Sequence, residues 1–96
     1  MPRFLVERPL PNIGDATEDE KLSMARVGED IIAKIGRENI RWVESIFTPD
    51  KAYCIYEARS AETIREFSEV GGFPYDGIAE VLYVLDPSLL DDNAEG

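Results

Sequence analysis

The 96-residue sequence predicts a single α+β domain with the element order β-α-β-β-α-β. Two observations carry this prediction. Four short apolar segments have the two-residue alternation of strands, and two longer amphipathic segments begin at capping residues and end at glycines. A chain of this length forms one domain rather than two.

The first half of the chain predicts a strand, a loop and a helix. Residues 3–8 form the strand, with Phe4, Val6 and Arg8 on one face, and prolines at 9 and 11 end it. Thr17 and Glu20 have the spacing of a capping box, in which each side chain bonds the other residue's backbone N–H. The helix is expected to run from there to residue 36, a glycine.

The second half predicts a hairpin, a helix and a last strand. Strands at 40–47 and 52–58 flank a turn at 48–51, and the second of them is apolar on both faces, which places it centrally in the sheet. Ser60 is the expected cap of the second helix, which ends at residues 71–72. The last strand covers 78–85. The domain is expected to span 1–86, followed by an acidic, disordered tail at 87–96.

Right-handed crossovers join these elements into a ferredoxin-like arrangement. We expect a four-stranded antiparallel sheet with two helices on one face. The strands carry large apolar residues at both alternating positions, as in Trp42 beside Val43 and Ile55 beside Tyr56. Two helices cover one set, so the other set is expected to meet a second copy of the chain, giving a homodimer through the open sheet face.

Composition excludes several classes of function. The net charge of −10 disfavours nucleic acid as a partner. The chain has no histidine, which removes Ser-His-Asp and Cys-His catalysis and imidazole metal ligands. No apolar run reaches the length of a membrane span and no signal peptide is recognisable, so no membrane partner and a cytoplasmic location are expected.

Glutamates on the strands are the first candidates for a binding site. With the first and third strands taken as parallel neighbours, Glu7 and Glu57 are expected side by side, and Glu80 belongs to the same candidate pocket. Such a cluster would raise a carboxyl pKa or hold a hard cation through oxygen ligands. The alternative, which we favour, is that these glutamates pair with arginines or face water.

The remaining candidates have simpler structural explanations. A nucleophilic or redox function for Cys54 is less favoured than a small buried hydrophobe, because no histidine is available to activate the thiol. Trp42, Tyr53 and Tyr56 would line a pocket or fill the core. Phe73, after two glycines and before a proline, belongs to a mobile lid or to a plain helix stop.

Several blocks of the sequence resemble a known family. FLVER before a proline-bearing loop, RWVES, YCIYEARSAETIRE and GGFPYDGIAEV are similar to the small bacterial nickel-binding-protein-like family (domain of unknown function 4242). The resemblance covers nearly the whole chain to about residue 84. It implies a ferredoxin-like fold, a dimeric α/β barrel and, in the named branch, nickel bound partly by histidines, which this chain lacks.

Three functions are compatible with the sequence. The first is a non-catalytic module that binds a small ligand and has no cofactor of its own. Its predicted binding residues are Glu7, Arg8, Trp42, Tyr53, Glu57, Phe73 and Glu80. The second is a cofactor-free monooxygenase- or isomerase-like enzyme in which a buried glutamate removes a proton. The third is a metal-binding protein; a divalent metal is disfavoured by the ligands in the sequence.

Overall fold

A computed structural model describes residues 1–94 and has the predicted order of strands and long helices. A 3-10 turn at Ile13–Asp15 and a short third helix are additional. The elements are β1 (Arg3–Pro9), α1 (Glu18–Ile35), β2 (Ile40–Phe47), β3 (Lys51–Ala58), α2 (Ala61–Gly71), β4 (Gly77–Glu80) and α3 (Ser88–Ala94).

The four strands form one antiparallel sheet in the order β2-β3-β1-β4, which confirms the ferredoxin-like prediction. β3 is central, as its two apolar faces predicted. Its alternate residues Ala52, Cys54, Tyr56 and Ala58 are buried towards α1 and α2. The opposite side of the sheet, here called the open face, consists of Arg3, Leu5, Glu7, Arg41, Glu44, Ile46, Lys51, Tyr53, Ile55, Glu57 and Ala79.

The core lies between the sheet and the two long helices. Ile32 of α1 and Ile64 and Phe67 of α2 are almost fully buried against Phe4 and Val6 of β1. The Phe67 ring packs at tilted angles on Tyr56 and Phe73, with centroids 5.3 and 5.5 Å apart respectively. Contacts of this kind add to the free energy gained by removing the rings from water.

The helix ends are formed by the residues that the sequence indicated. The Thr17 hydroxyl accepts a hydrogen bond from the Glu20 backbone N–H, and the Glu20 carboxylate accepts one from the Thr17 N–H. Gly36 and Gly72 follow the two long helices with φ of 110° and 68°. These positive angles favour glycine because a Cβ would clash with the backbone.

The last strand is shorter than predicted. β4 ends at Glu80, whereas the sequence predicted a strand over 78–85. The Val81 N–H donates to the Arg3 carbonyl at 2.7 Å, and Arg3 is the first residue of β1, so the neighbouring strand offers no further partners. Leu82 is consequently 86% exposed despite its apolar side chain.

Within the segment predicted as an acidic tail, the structure has the short helix α3, which the sequence did not predict. The last two residues of that tail lie outside the described part of the chain. The domain limits of 1–86 and 87–96 stay predictions. Between residues 1 and 94, no helix is both long and apolar enough to cross a membrane.

The prediction that Glu7 and Glu57 lie side by side is wrong. β1 and β3 run antiparallel, so Glu7 lies opposite Tyr53, whereas Glu57 lies opposite Arg3 at the other end of the pair. The reason is topological. The crossover makes β2 parallel to β1, and the hairpin then reverses β3.

Candidate ligand-binding site

A cavity of about 270 Å³ separates α1 from the covered face of the sheet. It lies between α1 and the strands β2 and β3, which supply most of its lining. The helix contributes Lys21, Leu22, Met24, Ala25, Gly28 and Ile32. The sheet contributes Trp42, Ser45, Phe47, Ala52, Cys54 and Tyr56. The remaining lining residues are Arg8, Leu10, Phe67, Phe73 and Pro74.

The cavity has an exposed mouth and a buried end. Leu22, Trp42 and Phe47 at the mouth are partly accessible to solvent, whereas Ile32 and Phe67 at the inner end are buried. Small-molecule sites in proteins commonly combine mainly apolar walls with a few polar groups that orient the ligand. The polar groups of this cavity therefore decide what it can hold.

Arg8 is the main polar group of the buried end, and its side chain is 3% exposed. Alternation along β1 directs Arg8, like Phe4 and Val6, to the covered face. Its Nη1 donates to the Pro74 carbonyl at 3.1 Å and its Nη2 to the Tyr56 hydroxyl at 3.2 Å.

Aromatic rings surround the Arg8 guanidinium. Its central carbon lies 5.6 Å from the ring centre of Tyr56, 6.0 Å from that of Phe67 and 5.5 Å from that of Phe73. The negative faces of aromatic rings attract a cation, and this attraction is larger when the cation is shielded from water. The rings thus compensate part of the desolvation cost of Arg8.

No carboxylate lies within ion-pair distance of Arg8 among the side chains that the structure describes. Tyr56 does not replace one, because burial raises its pKa to about 12, and the neighbouring Cys54 acts in the same direction. The opposing effect of Arg8 is smaller. Near neutral pH the Tyr56 hydroxyl is therefore uncharged, and Arg8 stays a buried cation without an anion.

The charges along the cavity are the reverse of those of the whole chain. The chain has 20 acidic and 10 basic residues. Arg8 and Lys21 both line the cavity, and none of the lining residues in the described part of the chain is Asp or Glu. Lys21 lies 5.6 Å from the ring centre of Phe47 near the mouth. The cavity is consequently a positive site in an acidic protein.

A short chain of hydrogen bonds orders the sheet side of the cavity. Trp42 Nε1 donates to Ser45 Oγ at 3.0 Å, and Ser45 Oγ donates to Cys54 Sγ at the same distance. These bonds hold the indole as part of the wall. Cys54 is buried in that wall, in keeping with the packing function favoured from the sequence.

The structure brings together three of the seven predicted site residues. Arg8, Trp42 and Phe73 line the cavity. Glu7 and Tyr53 are neighbours on the open face, on the other side of the sheet. Glu80 is exposed at the end of β4. The binding function of all seven stays a prediction, but they do not form one site.

Two of the strand glutamates, Glu7 and Glu57, form ion pairs on the open face, and for Glu57 the partners are arginines, as in the alternative favoured from the sequence. Glu7 pairs with Lys51 at 3.3 Å. Glu57 pairs with Arg3 at 3.1 Å and with Arg41 at 3.3 Å. The hydrogen bond from Arg3 holds the pKa of Glu57 below its usual value, with a smaller contribution from Arg41. The expectation of a raised carboxyl pKa is therefore wrong for Glu57.

Several cavity residues are not predicted by the sequence. Tyr56 is one of three aromatic residues that would line a pocket or fill the core, and Lys21, Leu22 and Phe47 carry no signal because helix and hairpin residues of these types are common at surfaces. Arg8 is different, because the sequence did predict it as a binding residue. It follows Phe4 and Val6 on one face of β1, and a charge among apolar residues is a signal of a buried polar group.

Comparison with known proteins identifies the family. The model described as "Nickel responsive protein SCO4226-like" matches residues 4–81. The chain belongs to this family. The crystal structure of SCO4226 from Streptomyces coelicolor A3(2) matches with a TM-score of 0.70 and 23% identity, over 86% of this chain and 99% of that one. No curated protein matched significantly.

Membership of the SCO4226-like family confirms the resemblance seen in the sequence, and the structural match shows the fold. The family description refers to nickel, so we asked whether this chain has side chains that could bind a nickel ion. This chain has no histidine, and its described residues contain no group of three His, Cys, Asp or Glu side chains placed to hold a metal ion. Nickel favours imidazole nitrogen, so the residues present do not fit a nickel site.

Because the phenol of Tyr56 is buried, we expect the free energy of unfolding to decrease at alkaline pH. In the unfolded chain Tyr56 has an ordinary pKa of about 10, against about 12 when folded. The folded state therefore retains the proton longer, and the stability contributed by Tyr56 is complete below about pH 10 and lost as the pH rises towards 12. The expected slope is about 1.4 kcal/mol per pH unit.

Urea unfolding of the wild type and of Tyr56→Phe at several pH values checks this effect. Phenylalanine has no proton to lose, so the stability difference between the two proteins should change with that slope above about pH 10. Other tyrosines and lysines titrate in both proteins and cancel in the comparison. A difference that stays constant with pH would contradict the prediction.

Proposed function

We propose that this member of the SCO4226-like family is a non-catalytic module that binds a small molecule in the cavity between α1 and the sheet, without a resident cofactor. The observation that carries the proposal is a cavity with apolar walls and a buried polar group, Arg8, at its inner end. Such a combination is the usual form of a small-molecule site.

The size of the cavity limits the ligand. Its volume of about 270 Å³ is close to the lower end of the range for small-molecule sites, which is roughly 300 Å³. The ligand is accordingly a compact molecule, such as one with a single aromatic ring system or a medium-length alkyl chain, rather than a nucleotide.

The alternative of a cofactor-free enzyme gains no support. It requires a buried glutamate as the proton acceptor. Every glutamate in residues 1–94 is at least partly exposed. The third hypothesis, a metal-binding protein, has no suitable donor set among the same residues.

A neutral fluorescent probe tests the site. We expect 1-aminonaphthalene to bind the wild-type protein, with a blue-shifted emission, and to change the emission of Trp42, the single tryptophan of the chain. Ala25 lines the cavity, so Ala25→Phe should fill it and abolish binding. Ala33 is exposed on the same helix and is not a lining residue, which makes Ala33→Phe the matched control. Equal binding by both variants would refute the proposed site.

The same proposal includes a homodimer through the open face. Leu5, Ile46 and Ile55 give this face an apolar centre that neither long helix covers. Its charged residues balance, with three basic and three acidic side chains: Arg3, Arg41, Lys51, Glu7, Glu44 and Glu57. Two such faces can meet without net repulsion, although the chain has a charge of −10.

Sedimentation analysis of a single substitution tests the dimer. Ile55→Glu places a charge at the centre of the open face, so we expect the wild type to sediment as a dimer and the variant as a monomer. Val70 lies on α2 and is 63% exposed, so Val70→Glu is the control and should remain dimeric. A monomeric wild type at micromolar concentration would contradict this part of the proposal.

A further inference from the structure

We infer that the ligand of the cavity is a small organic carboxylate, with its carboxylate group on the Arg8 guanidinium and its apolar body along the walls towards Trp42. The inference rests on the proposed function and names the class of ligand.

The positive charge of Arg8 is buried without an opposite charge beside it. Buried charges in proteins are usually paired with an opposite charge, because removing an ion from water is costly. Arg8 is 3% exposed and has two neutral hydrogen-bond acceptors, the Pro74 carbonyl and the Tyr56 hydroxyl. An anionic ligand would supply the missing partner.

The geometry of the donors favours a carboxylate. A guanidinium has five N–H donors in a planar fork, and the two described hydrogen bonds leave others for a planar acceptor. A phosphate group commonly requires several cationic or backbone donors around it. Here one buried arginine stands among the rings of Tyr56, Phe67 and Phe73, which suits a group with a single negative charge.

The lining charges exclude the opposite class of ligand. A cationic molecule would meet Arg8 at the inner end and Lys21 near the mouth, with no acidic lining residue in the described part of the chain to bind it. A carboxylate would meet attraction at both places. The positive cavity thus selects anions even though the protein as a whole repels them.

The walls and the volume define the body of the ligand. Apart from Arg8 and Lys21 the lining is mainly apolar, and it includes Met24, Ala52 and Phe47. A volume of about 270 Å³ equals that of roughly nine molecules of liquid water. A phenylalkanoic acid or a medium-chain fatty acid has this size and character.

A pair of isosteric probes tests the inference. Calorimetry with 3-phenylpropanoate and 3-phenylpropanamide on the full chain, near neutral pH, compares a charged and a neutral ligand of the same shape. We expect the acid to bind at least about tenfold more tightly, since hydrogen bonds between two charged groups are the stronger ones. Arg8→Met should remove this preference, whereas Arg41→Met, on the open face, should keep it.

The outcomes separate this inference from the proposed function. If the wild type binds the amide as tightly as the acid, the ligand class is wrong and the binding site stands. The same holds if 1-aminonaphthalene binds in the cavity and the acid fails to displace it. If none of the three probes binds at millimolar concentration, the proposed function and the inference both fall. The comparison of the acid and the amide on the wild type decides the class of ligand even if Arg8→Met does not fold.

Discussion

Replacing Phe67 by alanine is expected to lower the free energy of unfolding by about 3–5 kcal/mol. Phe67 is 2% exposed, and its ring packs on Tyr56 and Phe73 between α2 and the sheet. The substitution removes these contacts and enlarges the existing cavity, because its lining includes Phe67. A loss of this size is a large part of the stability of a small domain.

Urea unfolding followed by circular dichroism measures the effect. Val70 lies on the same helix and is 63% exposed, so Val70→Ala is the control and should change stability by less than about 0.5 kcal/mol. A loss below about 1 kcal/mol for Phe67→Ala would mean that the ring does not hold α2 on the sheet.

Replacing Arg8 by methionine is expected to raise the free energy of unfolding, by about 1–4 kcal/mol, while the preference for a carboxylate ligand is lost. Apolar side chains of similar volume often stabilise a protein in place of buried charges, because the desolvation cost disappears. Methionine is long enough to fill the space among the three rings around Arg8. A gain in stability with a loss of ligand preference is typical of a residue kept for a ligand.

Thermal or urea unfolding of Arg8→Met and Arg8→Ala, both without ligand, checks this prediction. Alanine removes the volume as well as the charge, and it should be less stable than the methionine variant by a few kcal/mol. If Arg8→Met is less stable than the wild type, the contacts of Arg8 with Pro74 and Tyr56 are structural, and the prediction is contradicted.

The fold was predictable because its signals are local. The capping box of Thr17 and Glu20, the glycines at 36 and 72, and the alternation in β1 and β3 each depend on neighbours a few residues away. With right-handed crossovers these elements leave few arrangements of a β-α-β-β-α-β chain. The family resemblance pointed to the same arrangement.

The site was predictable only in part, and Arg8 shows why. Alternation in β1 placed Arg8 on the face of Phe4 and Val6, but both faces of the strands carry apolar residues, so only the structure shows that this face is the covered one. The absence of a carboxylate beside it does not follow from the sequence either, because that depends on every side chain that α1, α2 and the loop before β4 bring near. The prediction that Glu7 and Glu57 lie side by side was wrong for the same reason, because the antiparallel register places them at opposite ends of the β1–β3 pair.

The sequence by itself determined the order of the elements, the helix caps and the alternation of side chains along β1 and β3, because side-chain alternation and helix ends are set over a few residues. Tertiary structure decided the length of β4, the ion pairs of the open face and the cavity beneath α1. Each of these depends on distances between segments far apart in the chain, which local sequence patterns do not specify. Arg8 is a surface-type residue in the sequence, and it becomes a buried cation only when three aromatic rings close around it.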